Sequence, residues 1–126
     1  MKRILIIEDD PTQRLLYRVA LTKSGYEVME APDGQLGIQI FRQDPCDIVI
    51  TDIFMPEKEG LETIMELKTE FANTKVIAIS GGGMFRVKKI ESGTVLKMAQ
   101  DFGADAIMEK PIDLGSLLNT VQELLD

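Results

Sequence analysis

The sequence predicts an α/β fold: a doubly wound, five-stranded parallel sheet in the order 2-1-3-4-5, with helices on both faces. Five short apolar segments of strand length alternate with segments in which apolar residues recur at helical spacing. The strand segments lack the polar alternation of a half-exposed strand, so helices are expected to cover both faces of the sheet. Right-handed crossovers would then connect the parallel strands.

The predicted strands are short and, apart from a weaker second strand, almost entirely apolar. In chain order they are Ile4–Ile7, Glu27–Ala31, Ile48–Thr51, Val76–Ile79 and Ala106–Met108. A helix that spans a bilayer needs about 20 consecutive apolar residues, and these runs are far shorter. We therefore expect no membrane insertion.

The first predicted helix begins at Pro11, whose ring is preorganised for a first helical turn, after Asp10 as a candidate N-cap. Gly25 is expected to end this helix. Its apolar stripe is assigned by spacing to Leu15, Leu16, Val19 and Ala20.

Four further helical segments alternate with the remaining strands. Their marker residues are, in chain order, Leu36, Ile40 and Phe41; Leu61, Ile64, Met65 and Lys68; the run from about Arg86 to Phe102; and Leu114, Leu117, Leu118, Val121 and Leu125. The last segment is the most clearly amphipathic. Because it reaches the end of the sequence, residues 1–126 are expected to form one domain with no output domain.

Composition argues against several classes of function. A net charge of −7 disfavours direct binding to nucleic acid. The absence of histidine removes histidine-assisted nucleophiles, imidazole metal sites and a role as phosphohistidine donor. The single cysteine, Cys46, has no basic neighbour and is interpreted as structural. Glu8 and Asp9 interrupt the first apolar run too early for a signal peptide, so a cytoplasmic location is expected.

Chemically informative side chains follow four of the five predicted strands. Glu8 and Asp9 follow the first strand, and the others are Asp52, Ser80 and Lys110. In an open parallel sheet the carboxyl ends of the strands lie at one edge, where ligands bind. The order 2-1-3-4-5 makes the first and third strands neighbours, so we expect the three carboxylates to lie close together.

Three carboxylates so close repel one another unless a cation compensates them. Oxygen ligands without histidine or cysteine favour Mg²⁺, or Mn²⁺, over Zn²⁺. Lys110 can offset Asp52 or bind phosphate oxygens, and Ser80 supplies a hydroxyl donor. A nucleophile, a metal and donors to the equatorial oxygens are the parts of in-line phosphoryl transfer. As the central acid, Asp52 is the predicted nucleophile, and its attack would form an acyl phosphate.

Four segments, in order and on the expected elements, resemble the receiver domains of two-component response regulators. They are Ile4–Asp10, Asp47–Pro56 with Gly60, Val76–Ser80, and Gly103–Asp105 with Glu109–Pro111. Each motif is common by itself, whereas the ordered set is specific and extends over essentially the whole chain. The chain is therefore similar to a stand-alone, chemotaxis-regulator-like receiver, a family with the flavodoxin-like fold predicted above.

The resemblance implies a role for each candidate site residue. Asp52 would be the phosphoacceptor, and Ser80 and Lys110 would hold the phosphoryl group. The metal ligands would be Asp9, Asp52, Glu8 through a water, and the backbone carbonyl of Phe54. The Lys110–Pro111 bond would be the cis peptide of the family. Such a chain assists its own phosphorylation and dephosphorylation but is not an enzyme in the usual sense, and no organic cofactor is implied.

The chain departs from the family pattern in two places. Relatives commonly carry an aromatic switch residue three positions before the lysine, where this sequence has Ile107. Isoleucine cannot exchange between a buried ring and an exposed phenol. The segment between Ser80 and Gly103 is also several residues longer than is usual, and its Gly81–Gly83 run is the candidate mobile loop.

The predicted function is a two-component signalling switch. A sensor histidine kinase or histidine phosphotransfer protein would donate the phosphoryl group to Asp52, docking near Leu15 and Pro111, and a downstream effector protein would read the result. A monomer or weak dimer is expected. Two alternatives stay open: a phosphorelay intermediate that passes phosphate to a histidine phosphotransfer protein, and a constitutive, unphosphorylated adaptor. A Mg²⁺-dependent phosphatase for outside substrates is less favoured, because the sequence suggests no substrate pocket.

Overall fold

A computed structural model describes residues 2–53, 60–80 and 92–126 of the chain. It contains one five-stranded sheet in the order β2-β1-β3-β4-β5, in which every neighbouring pair is parallel. The strands are β1 Arg3–Ile7, β2 Glu27–Ala31, β3 Ile48–Asp52, β4 Lys75–Ser80 and β5 Ala106–Glu109. The predicted fold class and strand order are therefore confirmed.

Five described helices alternate with the strands. They are α1 Pro11–Lys23, α2 Gly34–Gln43, α3 Gly60–Glu70, α4 Ser92–Asp101 and α5 Leu114–Leu125. The prediction that the fourth helix begins near Arg86 falls on residues 81–91, which lie outside the described part. Within that part, no helix combines the length and the apolar character needed to cross a membrane.

Each face of the sheet carries its own hydrophobic core, as expected for strands without polar alternation. One core joins Leu5 and Ile7 of β1 to residues of α2, α3 and α4. The other joins Ile4 and Ile6 of β1 to residues of α1 and α5. Alternate residues of one strand thus serve opposite cores.

The apolar stripe assigned to α1 by spacing is not the side that packs against the sheet. Leu15, Leu16 and Val19 are 47%, 46% and 46% exposed, whereas Tyr17 and Leu21 are buried against the sheet. Two apolar stripes with helical spacing run along this helix, and spacing alone does not decide between them. Tyr17 can be buried because its hydroxyl donates a hydrogen bond to Gln13 Oε1 at 3.0 Å.

The start of α1 is set by its cap. The Asp10 carboxylate accepts hydrogen bonds from the backbone N–H groups of Thr12 and Gln13, and Pro11 occupies the first helical position. This confirms the predicted N-cap. The three residues Glu8, Asp9 and Asp10, here called the acidic loop, therefore form the whole connection between β1 and α1. This loop is short and is held between the end of the strand and the cap of the helix.

Candidate functional site

The carboxyl edge of the sheet brings the predicted site residues together. Ile7 of β1 pairs in register with Thr51 of β3, so the residues that follow them, Glu8 and Asp52, are neighbours. On the other side of β3, Asp52 pairs with Ile79, the residue before Ser80. Parallel pairing thus places the acids and Ser80 at adjacent strand ends.

The three carboxylates form one compact cluster. One oxygen from each of Glu8, Asp9 and Asp52 lies within 4.8 Å of the other two. Glu8 is 1% exposed and Asp52 is 5% exposed, whereas Asp9 is exposed. The cluster therefore has a buried floor formed by two acids and an open side formed by the third.

Lys110 lies between the two buried acids. Its Nζ is 2.9 Å from Asp52 Oδ2, to which it donates a hydrogen bond, and 3.1 Å from Glu8 Oε1. The Lys110 backbone N–H donates to the Ser80 carbonyl at 2.8 Å, which joins the ends of β4 and β5. The Lys110–Pro111 bond is cis, as predicted. Both strand pairing and this backbone bond bring the lysine to the acids.

Electrostatics show how crowded these charges are. Burial, and then the neighbouring Asp52 carboxylate, raise the pKa of Glu8 to about 8 from an ordinary value of 4.5, although Lys110 opposes this. Burial lowers the pKa of Lys110, but the negative charge of Asp52, the hydrogen bond to Asp52 and the negative charge of Glu8 outweigh it, so that the net shift is upward. Lys110 stays charged, and Glu8 is readily protonated unless further positive charge approaches.

The donor set fits a hard divalent cation. Glu8 Oε1 is fully buried and accepts no hydrogen bond from any described residue, although Lys110 Nζ lies near it. An ion-paired but otherwise unsatisfied carboxylate oxygen inside a three-acid cluster is a ready ligand position for a cation or its bound water. Among the described residues, the atoms of this cluster that could bind a metal ion are all carboxylate oxygens, which suits Mg²⁺.

Ser80 ends β4 and is fully buried. Two other predicted features, the Phe54 carbonyl and the Gly81–Gly83 loop, fall on residues outside the described part. Ile107, at the position of the family's aromatic switch residue, is 37% exposed on the edge strand β5.

Hydrogen bonds and the start of α3 fix the backbone around Asp52. Thr51 Oγ1 donates to the Asp52 carbonyl at 3.0 Å, and the Ile53 N–H donates to the Ile79 carbonyl at 2.9 Å. Gly60 begins α3 directly against this segment, and a Cβ added there would lie 2.2 Å from the Asp52 carbonyl oxygen. The glycine is thus required because the helix start touches the backbone of the central acid.

One contact at the site could not be found from motifs. Arg14, on α1, donates from Nη1 to the Glu8 carbonyl at 2.8 Å. The same guanidinium pairs through Nε with Glu30 Oε1 on β2 at 3.2 Å. The sequence contains only a weak indication of this contact, namely a long cationic side chain, Arg14, in the first turn of the helix that follows Glu8 and Asp9.

A family model described as the response regulator receiver domain matches residues 4–122. The chain belongs to the response regulator receiver domains. Like other receivers, it is a signalling switch of two-component systems and not a classical enzyme. The receiver fold explains why the acids, Ser80 and Lys110 stand at one edge of the sheet.

Curated relatives agree with the family assignment. The chain is 34% identical over 125 residues to the protein PilH of Pseudomonas aeruginosa, with 99% of this chain and 98% of PilH covered. It is 31% identical over 110 residues to the chemotaxis protein CheY of Bacillus subtilis, with 85% of this chain and 92% of CheY covered. These receivers are close to this chain in length.

Solved structures agree as well. A receiver domain from Clostridium thermocellum superposes with a TM-score of 0.88 at 26% identity, covering 99% of this chain and 94% of that one. The response regulator TrrA of Thermotoga maritima, solved in complex with Mg²⁺-BeF, gives a TM-score of 0.83 at 29% identity, covering 98% and 99%. At least one structural neighbour of this receiver therefore binds Mg²⁺.

Proposed function

We propose that this receiver is phosphorylated on Asp52, from a phosphohistidine, in a Mg²⁺-dependent step, and that a partner protein reads the phosphorylated form. The observation that carries the proposal is the contact of Lys110 with both Asp52 and Glu8 inside a three-carboxylate cluster. A purely structural ion pair would not need a third acid or a buried oxygen that lacks a hydrogen bond.

Asp52 is the proposed nucleophile. One of its carboxylate oxygens attacks the phosphorus of the donor, forming an acyl phosphate. The phosphorus–nitrogen bond breaks, and its electron pair stays with the imidazole, which takes up a proton. The backbone bonds around Asp52 hold the carboxylate at the strand end, so its approach to the donor requires little reorganisation.

The proposed metal ligands are the two acids Asp9 and Asp52, Glu8 through a water, and the Phe54 carbonyl. When bound, Mg²⁺ neutralises the acids and the phosphoryl oxygens that approach them. Lys110 moves its contact from the Asp52 carboxylate to the phosphoryl group, and Ser80 donates its hydroxyl to the same group. The same residues assist hydrolysis of the acyl phosphate.

The surface beside the site suits docking of a donor protein. Leu15, Leu16 and Val19 expose an apolar face on α1, and Pro111 lies directly after the site lysine. We propose that a sensor kinase or phosphotransfer protein docks there, with the receiver acting as a monomer or weak dimer. The relative CheY of Bacillus subtilis is named as a chemotaxis protein, and for this chain we propose that a separate effector protein reads the signal.

The test is the intact mass of the protein after incubation with Mg²⁺ and a small acyl-phosphate donor. We expect one added phosphoryl group in the parent and none after Asp52→Asn or with a chelator. Asp105→Asn, at the opposite edge of the sheet, is the matched control and should be phosphorylated like the parent. If neither the small donor nor a phosphorylated histidine protein modifies Asp52, the proposal is wrong, and the constitutive adaptor becomes the better interpretation.

A further inference from the structure

Arg14 contacts both the acidic loop and the edge strand β2, so it does more than form a single ion pair at the surface. Its Nη1 donates to the Glu8 carbonyl at 2.8 Å while its Nε contacts Glu30 Oε1 at 3.2 Å. The Arg14 side chain is 22% exposed, so most of it is sheltered between α1 and β2. One planar guanidinium therefore links the acidic loop to the edge strand with fixed geometry.

The bond to Glu8 fixes the peptide that joins two of the acids. The Glu8 N–H donates to the Ala31 carbonyl at 3.1 Å, and the Glu8 carbonyl accepts from Arg14. This carbonyl belongs to the peptide unit between Glu8 and Asp9. If Arg14 is removed, the unit can rotate, and rotation changes the relative placement of the Glu8 and Asp9 carboxylates.

We infer that Arg14 is a positioning residue for the cation site, acting through the Glu8 carbonyl to hold the Glu8 and Asp9 carboxylates in place. The inference rests on the proposed Mg²⁺ site. Outer contacts that orient metal ligands typically change metal affinity by about 10-fold to 100-fold when they are lost. Because Arg14 acts on a backbone carbonyl, we expect an effect near the lower end of that range.

Whether Mg²⁺ affinity rises or falls when Arg14 is replaced shows whether Arg14 acts by positioning the acidic loop or only by its charge. Arg14 is a cation near an acidic site, so its positive charge by itself opposes the binding of another cation. If charge were its whole contribution, its replacement by a neutral side chain would strengthen Mg²⁺ binding. If it positions the loop, the same replacement weakens Mg²⁺ binding.

The chain offers a matched control one turn further along α1. Arg18 pairs through Nε with Glu30 Oε2 at 2.9 Å, so it contacts the same acid as Arg14. Its side chain is 43% exposed, and among the described residues no contact between Arg18 and Glu8 is found. Arg18→Gln therefore removes the same charge from the same helix without touching the acidic loop.

The experiment measures Mg²⁺ affinity by titration calorimetry for the parent, Arg14→Gln, Arg14→Lys and Arg18→Gln. We expect about 10-fold weaker binding for Arg14→Gln, by the outer-contact effect. Arg18→Gln should bind as the parent does, or slightly more tightly. Arg14→Lys keeps the charge but replaces the planar guanidinium, which reaches Glu8 and Glu30 through two nitrogens, by a single nitrogen, so its affinity should fall between those of Arg14→Gln and the parent.

Two further measurements exclude a general loss of structure. The unfolding midpoint of the metal-free protein should be similar for Arg14→Gln and Arg18→Gln. In Arg14→Gln, the Mg²⁺ concentration that gives half the maximal rate of phosphorylation by a small acyl-phosphate donor should be about 10-fold higher than in the parent. The rate at saturating Mg²⁺ should stay within about twofold of the rate of the parent. A change in the saturated rate with an unchanged Mg²⁺ requirement would overturn the inference.

Failure of the inference and failure of the proposed function give different results. If the parent binds Mg²⁺ but Arg14→Gln binds it equally well or more tightly, Arg14 is not a positioning residue and the proposed function stands. If Arg14→Gln and Arg18→Gln weaken binding equally, the effect belongs to α1 and not to the Glu8 contact. If the parent itself binds no Mg²⁺, both the inference and the metal-dependent step of the proposed function are wrong.

Discussion

The two ends of the sheet carry similar residues in different electrostatic settings. At the amino end, Asp105 accepts from the Val76 N–H at 2.8 Å and from Lys68 Nζ at 3.0 Å, and its side chain is 24% exposed. At the carboxyl end, Glu8 and Asp52 are buried and contact the same lysine. The amino end thus has well-matched pairs near solvent, whereas the carboxyl end concentrates buried negative charge.

This difference separates a structural ion pair from a binding site. Lys68 and Lys110 have almost the same side-chain exposure, 20% and 21%. What differs is the number and the burial of the acids around them. We propose that the carboxyl end accepts a cation and a phosphoryl group, which is consistent with its excess of buried negative charge. The following changes test the contrast between the two ends, from the largest expected effect to the smallest.

Gly60→Ala should have the largest effect, because it forces backbone apart at the carboxyl end. The new Cβ would lie 2.2 Å from the Asp52 carbonyl oxygen and 2.5 Å from Ile53 Cα, and backbone atoms cannot yield as a flexible side chain does. We expect a loss of about 3 kcal/mol in the free energy of unfolding, measured by urea denaturation.

Gly115→Ala is the control for that substitution. Its new Cβ would meet only Asp113 Oδ2, at an ordinary distance of 3.5 Å. Within α5 this change should raise the free energy of unfolding by about 0.5 kcal/mol, since alanine favours the helix. If Gly60→Ala were also harmless, the close approach of α3 to Asp52 would be wrong.

Replacing each lysine by methionine compares the two ends directly. In metal-free protein at pH 8, Lys110→Met should cost about 2–3 kcal/mol, because it leaves buried carboxylates without compensation. This cost is below that of a rigid buried pair, since Glu8 can take up a proton. Lys68→Met should cost about 1 kcal/mol, because Asp105 keeps the Val76 N–H and contact with water. Equal costs in urea denaturation would contradict the contrast between the ends.

The pH dependence of stability gives a cleaner signal, because it follows the titration of one side chain. The pKa of Glu8 is raised in the folded protein to about 8 from 4.5. The uncharged form therefore stabilises the fold below pH 4.5, and this contribution is lost as the pH rises through about 8. In the presence of a chelator, the free energy of unfolding of the parent should fall by on the order of a few kcal/mol, relative to that of Glu8→Gln, as the pH rises from 4.5 to about 8. Parallel stability curves for the two proteins would rule out this role of Glu8.

Cys46, near the amino end of the sheet, gives a prediction on chemical reactivity that involves no change in stability. Burial raises the pKa of its thiol to about 12, so little reactive thiolate forms at neutral pH. We expect a thiol reagent at pH 8 to label the native protein at least about 100-fold more slowly than the urea-unfolded chain. Rapid labelling of the folded protein would show that Cys46 is not the structural residue predicted from sequence.

The strands were predictable because both faces of each are covered. Each predicted strand lies within one or two residues of the observed one, and β2 matches at both ends. The ends were clear because charged or polar residues stop the apolar runs. Those same residues formed the candidate site, so the prediction of the fold also placed Glu8, Asp9 and Asp52 together.

Contacts that depend on tertiary packing were not predictable. On α1, two apolar stripes compete, and the one containing Tyr17 is buried although Leu15 and Leu16 are more hydrophobic. The bond from Arg14 to Glu8 joins a side chain to a backbone carbonyl, which leaves no pattern in the sequence. The roles of Phe54 and of the Gly81–Gly83 loop stay predictions.

The position of each strand in the sheet has a consequence for hydrogen exchange. The acids follow β1 and β3, whose residues are almost all buried, whereas Lys110 follows β5, an edge strand with alternating exposure. Amides of β1 and β3 should exchange only when the whole domain opens, and those of β5 through local fraying. The site therefore joins acids that follow rarely opening strands to a lysine that follows a frequently opening strand, so the acids keep their positions on a timescale on which Lys110 can leave and return.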